Sequence, residues 1–74
     1  MFTLEQWYLG TTQEPVEPRL YSWYQATLDD WNHWVAECQD RARYGCKVEI
    51  IDKVSFIFTT SNDSVVKCIL TGEV

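Results

Sequence analysis

The chain has 74 residues, a formal net charge of −5 and an apolar content of 46%. This length leaves no room for a second domain, and the apolar content excludes a disordered chain. The apolar runs are too short to span a membrane, and Met1–Glu5 lacks the basic and apolar regions of a signal peptide. We therefore expect a single domain, residues 1–74, in the cytoplasm.

The N-terminal third of the chain predicts two strands. Phe2–Leu9 is the first and Arg19–Ala26 the second, separated by a loop over Gly10–Pro18 in which glycine and proline interrupt regular structure. Alternation along the second strand predicts one side with Leu20, Ser22, Tyr24 and Ala26, and another side with Tyr21, Trp23 and Gln25.

The clearest predicted element is a helix over Leu28–Tyr44. Thr27 is a good N-cap, and Asp30 three residues later completes a capping box. Two arginines in the last turn favour the negative end of the helix dipole, and Gly45 is suited to end the helix. Spacings of three and four residues predict one apolar stripe, formed by Leu28, Trp31, Val35, Cys38 and Ala42, with Trp34 at its edge.

Residues that favour β-structure dominate after Gly45. They predict strands over Cys46–Ile51, Val54–Thr60 and Val65–Thr71, with a turn between the last two. Asp52–Lys53 is either a tight turn or a bend within one long strand. The predicted fold class is α+β: a small antiparallel sheet of four or five strands with one amphipathic helix packed on one face, in the order β-β-α-β-β or β-β-α-β-β-β.

The last hairpin has apolar residues on both faces. A turn centred on Asn62–Asp63 predicts that Phe56 lies opposite Ile69 and that Phe58 lies opposite Lys67. One helix covers only one face of a small sheet. We expect the second face to be covered by the aromatic N-terminal segment, by a second copy of the chain or by another partner.

The outward side of the predicted helix is acidic. A rotation of about 100° per residue brings together Asp29, Asp30, His33, Glu37 and Asp40, extended by Tyr44. The first five of these residues are called the acidic ridge below, and Tyr44 lies at its C-terminal end. The ridge is either a solvated surface with ordinary ion pairs or a surface that docks on a basic partner.

No residue pattern predicts catalysis or a cofactor. The glycines are scattered rather than grouped in a phosphate-binding loop, and the single histidine, His33, is expected to be solvated. Three cysteines at irregular spacing, Cys38, Cys46 and Cys68, predict free and mostly buried thiols rather than a disulfide framework or a metal site. The chain is therefore not expected to be an enzyme, nor to hold a metal or cofactor.

The leading hypothesis is a small acidic cytoplasmic protein-binding module, an inhibitor of phage or mobile-element origin that masks a host protein, of the anti-defence or antitoxin type. Its partner is expected to have a basic surface, since the acidic charge disfavours direct binding of nucleic acid. The predicted contact residues are Asp29, Asp30, His33, Glu37, Asp40, Trp34, Tyr44 and Trp23. The alternative is a homodimer-forming accessory or structural subunit without inhibitory activity, which pairs through the uncovered sheet face.

Overall fold

The computed structural model describes residues 1–72. Its elements in chain order are β1 (Phe2–Thr11), β2 (Pro15–Ala26), α1 (Leu28–Asp40), a 3₁₀ segment (Arg41–Tyr44), β3 (Lys47–Asp52), β4 (Ser55–Thr59) and β5 (Ser64–Thr71). The predicted α+β class is confirmed. The five-strand order is the correct one of the two alternatives, because a turn separates β3 from β4.

The strands form one antiparallel sheet in the order β2-β1-β5-β4-β3. Because β2 and β3 are the two edges, α1 connects them by crossing the sheet over one face, called the helix side below. The aromatic N-terminal segment forms β1 and β2 of the sheet, so it does not cover the second face. No other segment of residues 1–72 lies across that second face, called the open sheet face below.

The core lies between α1 and the sheet, where alternation along the strands directs side chains toward the helix. Trp31 of the helix packs on Phe56 of β4, with ring centroids 5.4 Å apart and planes tilted by 48°. The Trp31 indole N–H donates a hydrogen bond of 3.0 Å to the Lys53 carbonyl, which joins the helix to the β3–β4 turn. The buried hydrophobic residues of the core are Leu4, Ala26, Trp31, Cys38, Phe56, Phe58, Cys68 and Leu70.

Helix α1 begins as predicted. The Asp30 N–H donates to the Thr27 hydroxyl at 3.1 Å, and the Thr27 N–H donates to the Asp30 carboxylate at 3.0 Å, which confirms the capping box. Leu28 was expected on the buried stripe but is exposed, because the first helical turn begins at the edge of the sheet, directly after β2.

The end of the helix differs from the prediction. The α-helix stops at Asp40, and the predicted last turn, Arg41–Tyr44, is a 3₁₀ segment that ends at Gly45 with φ of 90°. The tighter winding moves Ala42 out of the apolar stripe, and it is exposed. Within residues 1–72, no helix is long and apolar enough to span a membrane.

The β1–β2 hairpin is longer than predicted. Strand pairing continues to Gly10 opposite Pro15, so the expected loop over Gly10–Pro18 is wrong except for residues 12–14. Gly10 has φ of 87°, and a Cβ at this position would lie 2.5 Å from the Glu14 carbonyl oxygen. Only glycine fits this close approach. Because Gly10 allows it, the pairing of β1 with β2 continues until three residues between the end of β1 and the start of β2 remain as the turn.

A β-bulge in β2 changes the side that several residues face. Gln6 pairs with Ser22 and Trp7 pairs with Leu20, which leaves Tyr21 as the extra residue. Leu20 therefore faces away from the helix, together with Trp23, and the predicted strict alternation is wrong here. Tyr21 was expected beside Trp23, but as the extra residue of the bulge it lies on the helix side, where burial, followed by Cys68 and Cys38, raises its pKa.

The β4–β5 hairpin has a register one residue away from the predicted one. Its loop has three residues, with Asp63 in the left-handed region at φ of 73°, so Phe56 pairs with Cys68 rather than with Ile69. Likewise, Phe58 pairs with Val66 rather than with Lys67. Because side chains alternate with period two, this shift places Ile69 and Lys67 on the face opposite the phenylalanines.

Candidate functional site

The first turn of α1 sets the geometry of the acidic ridge. Asp29 and Asp30 lie where the positive end of the helix dipole favours carboxylates. The hydrogen bond from the Thr27 backbone N–H, with a further contribution from the Thr27 hydroxyl, lowers the pKa of the Asp30 carboxyl. Asp30 therefore belongs to the helix cap, and Asp29 is the carboxylate of this turn that can face a partner.

The second half of the ridge contains two weak polar pairs. His33 Nε2 lies 3.9 Å from Glu37 Oε1, and Asp40 Oδ1 lies 2.8 Å from an Arg43 guanidinium nitrogen. All four side chains are exposed, so these pairs contribute little to stability. The surface beside them is an open depression of about 400 Å³, lined by His33, Ala36, Glu37, Asp40, Arg41 and Tyr44.

Trp34 lies mostly below this surface. Its ring is half-buried against the core, and the Arg41 guanidinium carbon lies 5.4 Å from the ring centroid in a cation–π arrangement. The indole N–H is buried and makes no hydrogen bond of normal geometry among the described residues; the Cys68 sulfur, a weak acceptor whose pKa the indole lowers, lies near it. A partner at the ridge would therefore reach Arg41 and the exposed part of the ring rather than the N–H.

Tyrosines flank the ridge at both ends. Tyr44, 70% exposed, extends the ridge at its C-terminal end. Tyr24 pairs with the core residue Leu4 and therefore lies on the helix side, while remaining exposed. Tyr24 lies three residues before the N-cap Thr27, which puts it beside the N-terminal end of the ridge; burial, followed by Cys68 and Asp30, raises the pKa of its phenol.

Tyr21 and Tyr24 are not among the eight predicted contact residues, but aromatic residues that prove exposed were expected to be contact candidates, and both are exposed. Alternation alone separates these two tyrosines onto opposite sides of β2, and only the bulge brings both to the helix side. The one available signal was the density of aromatic residues in β2, since exposed tyrosines are frequent anchors in protein interfaces.

The open sheet face has a different composition. Trp23 is its most prominent side chain, 64% exposed, and Leu20 beside it is 40% exposed. The Trp7 indole N–H donates a hydrogen bond of 2.9 Å to Glu5, so these two side chains lie together on the same face. The apolar residues of this face, by pairing register, are Trp7, Leu20, Trp23, Ile57, Val65 and Ile69.

The predicted contact residues therefore fall on two sides of the molecule. The acidic ridge lies on the outward side of α1, with Trp34 partly below it, whereas Trp23 lies on the open sheet face. The sheet and the helix layer separate the two sets. A single flat partner surface cannot contact Trp23 and the ridge at once.

Two of the three thiols, Cys38 and Cys68, are poorly suited to react at neutral pH. Burial raises the pKa of the Cys38 thiol to about 12, and burial also raises the pKa of Cys68, partly offset by the Trp34 indole. All three cysteines are free, which agrees with the prediction of thiols outside a disulfide. In the part of the chain that the structure describes, no three histidine, cysteine or acidic side chains are grouped in a way that could hold a metal ion.

Known proteins offer no further assignment of these surfaces. Neither the models of protein families, nor the curated proteins, nor the solved structures contain a match to this chain.

Proposed function

We propose that this chain is a small protein-binding module whose acidic ridge and flanking tyrosines dock on a basic surface of another protein and mask it. The observation that carries this proposal is the position of exposed Tyr24 and Tyr44 at the two ends of the ridge. Carboxylates attract basic side chains, and tyrosine rings provide large contacts with little conformational freedom to lose. Such a surface is suited to lysine- and arginine-rich partners.

Charge supports the same assignment. The net charge of −5 attracts a basic protein at long range and raises the association rate, most strongly at low ionic strength. Arginine side chains of the partner can also stack on the tyrosine rings. The inhibitory role and the phage or mobile-element origin are proposed from the small size and acidic, aromatic-rich composition of the chain.

Asp29 and Glu37 are the ridge residues best suited to a test. Asp30 is held in the helix cap, so changing it would also disturb the helix, and the charge of Asp40 is offset by its pair with Arg43. The test variant is therefore Asp29→Asn with Glu37→Gln. Its matched control is Glu14→Gln with Glu17→Gln, which removes the same two charges from the exposed end of the β1–β2 hairpin.

The experiment begins with capture of a partner from the cytosol of the native cell by the wild-type chain, followed by purification of that partner. Dissociation constants are then measured at low and moderate salt for the wild type and both variants. The Asp29→Asn, Glu37→Gln variant should weaken binding by about tenfold and reduce the salt dependence, as expected for the loss of two interfacial charges. The control should change binding by less than about threefold.

Masking is tested with the same partner. One equivalent of the wild-type chain should displace the natural ligand of the partner, and the ridge variant should require a proportionally higher concentration. Equal binding by the ridge variant and its control would show that the ridge is not the contact surface. A partner that keeps its ligand while the chain is bound would refute masking.

A further inference from the structure

We infer that the open sheet face binds a second copy of this chain, forming a two-fold symmetric dimer in which the two sheets pack face to face. This inference does not depend on the proposed function, which uses the opposite side of the molecule. It starts from the distribution of apolar and charged side chains over the five strands.

The apolar residues of the open sheet face lie in two neighbouring rows, each interrupted by one charged residue. Trp7 pairs with Leu20 on one side and with Lys67 on the other, and Ile57 follows across Lys67. In the next row, Glu5 lies between Trp23 and Ile69. Exposed apolar side chains that are rimmed by polar residues in this way mark an interaction site.

The charges on this face favour a second copy over a basic partner. Glu5 and Glu49, with Asp52 at the rim, lie on the open sheet face together with Lys47 and Lys67, so the two signs are interspersed and nearly balanced. Asp52 at the rim is already bonded to the Val54 N–H and the Ser55 hydroxyl. Most of the net charge of −5 therefore lies elsewhere on the molecule.

Two copies of an acidic chain repel each other when their acidic surfaces meet. The open sheet face is the broad surface on which each copy presents both lysines and glutamates, so a two-fold rotation can set opposite charges against each other. A basic protein, in contrast, would gain nothing from a face that carries two lysines. The chemistry of this face is therefore self-complementary.

The outline of the molecule is large enough for a dimer interface of standard size. Its Cα atoms span 36 by 28 by 18 Å. An ellipse over the two longer extents encloses about 800 Å², comparable with the roughly 800 Å² that each partner buries in a standard interface, so the dimer would use most of this side of the molecule. Face-to-face sheets pack about 10 Å apart, which leaves both helices on the outside.

This arrangement has a consequence for binding. In the dimer, both acidic ridges face outward on opposite sides, so one dimer presents two identical docking surfaces. A partner with repeated basic surfaces would then be bound with avidity.

The first test is sedimentation velocity of the purified chain over a concentration range, with the 8.7 kDa monomer as reference. The wild type should shift to a dimer as its concentration rises. Trp23→Ser with Leu20→Ser removes two exposed side chains from the face and should raise the dimer dissociation constant by at least about 30-fold, as for the loss of an interface hot spot. Tyr44→Ser removes an equally exposed aromatic ring from the other side and should leave the constant unchanged.

The second test uses charge. Lys67→Glu makes the open sheet face acidic, and Glu49→Lys makes it basic, so each variant alone should dimerise more weakly than the wild type. An equimolar mixture of the two variants should form a heterodimer, because the faces then have opposite charge. Far-UV circular dichroism and thermal unfolding of each variant verify that the fold is retained.

A wild-type chain that remains monomeric at millimolar concentration would overturn the inference, and in that case the face belongs to another partner or to none. A dimer that is weakened by Tyr44→Ser but not by the Trp23→Ser, Leu20→Ser variant would overturn it as well, because the interface would then lie on the helix side. Neither result affects the salt-dependent binding test of the ridge, so the two proposals can fail separately.

Discussion

Trp31 allows the sharpest prediction about the core. It is 2% exposed, it packs on Phe56, and its indole N–H is bonded to the Lys53 carbonyl. Trp31→Phe removes this hydrogen bond, at about 1 kcal/mol net. The smaller ring also leaves a cavity of about 35–40 Å³, which costs about 0.9 kcal/mol at roughly 24 cal/mol per Å³. We therefore expect a loss of about 2 kcal/mol in the free energy of unfolding.

Trp34 provides the matched comparison, because it lies three residues after Trp31 in the same helix and receives the same Trp→Phe substitution. Its buried N–H makes no hydrogen bond of normal geometry among the described residues and lies near the weak sulfur acceptor of Cys68, and a buried donor without a normal partner costs about 1–3 kcal/mol. Trp34→Phe removes this cost while it reduces packing and the cation–π contact with Arg41. The two effects oppose each other, so the unfolding free energy should stay within about 1 kcal/mol of the wild type.

Both variants are measured by urea and thermal unfolding, followed by circular dichroism at one low micromolar concentration. Trp31→Phe should lower the midpoint of thermal unfolding by about 8–16 °C, since each kcal/mol corresponds to about 4–8 °C in a domain of this size. Equal destabilisation by Trp31→Phe and Trp34→Phe would refute the reasoning, because hydrogen-bond status would then not distinguish the two indoles.

Three further predictions concern the cap, the carboxylates and the thiols. Thr27→Ala should destabilise the fold by about 1 kcal/mol in urea unfolding, whereas Thr27→Ser should retain the cap and most of the stability. Hydrogen bonds from the backbone N–H groups of Thr27 and Val54 hold the pKa values of Asp30 and Asp52 below their unfolded values. The stabilisation is therefore present above about pH 4 and is lost as the pH falls through the lowered pKa values. The Asp30→Asn, Asp52→Asn variant should show a smaller decrease of the urea midpoint on acidification; an unchanged decrease would contradict this assignment. Finally, a disulfide reagent at about pH 8 should modify Cys46 rapidly, whereas the buried Cys38 and Cys68 should react only as fast as the fold opens. In denaturant, all three thiols should react rapidly. Rapid modification of all three in the native protein would contradict the burial of Cys38 and Cys68.

The start of α1, the end of the helical region and the acidic ridge could all be predicted from the sequence, because each depends on residues that are close together in the chain. The N-cap pair Thr27 and Asp30 is three residues apart and bonds within one turn, so the start of α1 follows from sequence alone. The same holds for the end of the helical region at Gly45, whose positive φ suits glycine. The acidic ridge is likewise a property of helical periodicity, and the exposed positions of its members follow from it.

The turn geometry was decided by contacts that sequence spacing does not reveal. The three-residue loop with Asp63 at positive φ shifts the β4–β5 register by one, and the bulge at Tyr21 turns Leu20 to the open sheet face. Each error is a single residue in length, yet it reverses which face a side chain occupies, because the side-chain period in a strand is two. Sequence reasoning therefore predicted the strands and missed part of the composition of each face.

The sequence by itself determined the α+β class, the helix with its cap and acidic outward side, and the excess of apolar residues over what one helix can cover. Only the tertiary structure decided that β1 lies beside β5, that α1 crosses from one edge of the sheet to the other, and that Trp23 and the ridge lie on opposite sides. The physical reason is the separation along the chain of the residues that interact. Helix capping and helical periodicity involve residues three or four positions apart, whereas strand order depends on pairing between distant residues such as Leu4 and Leu70.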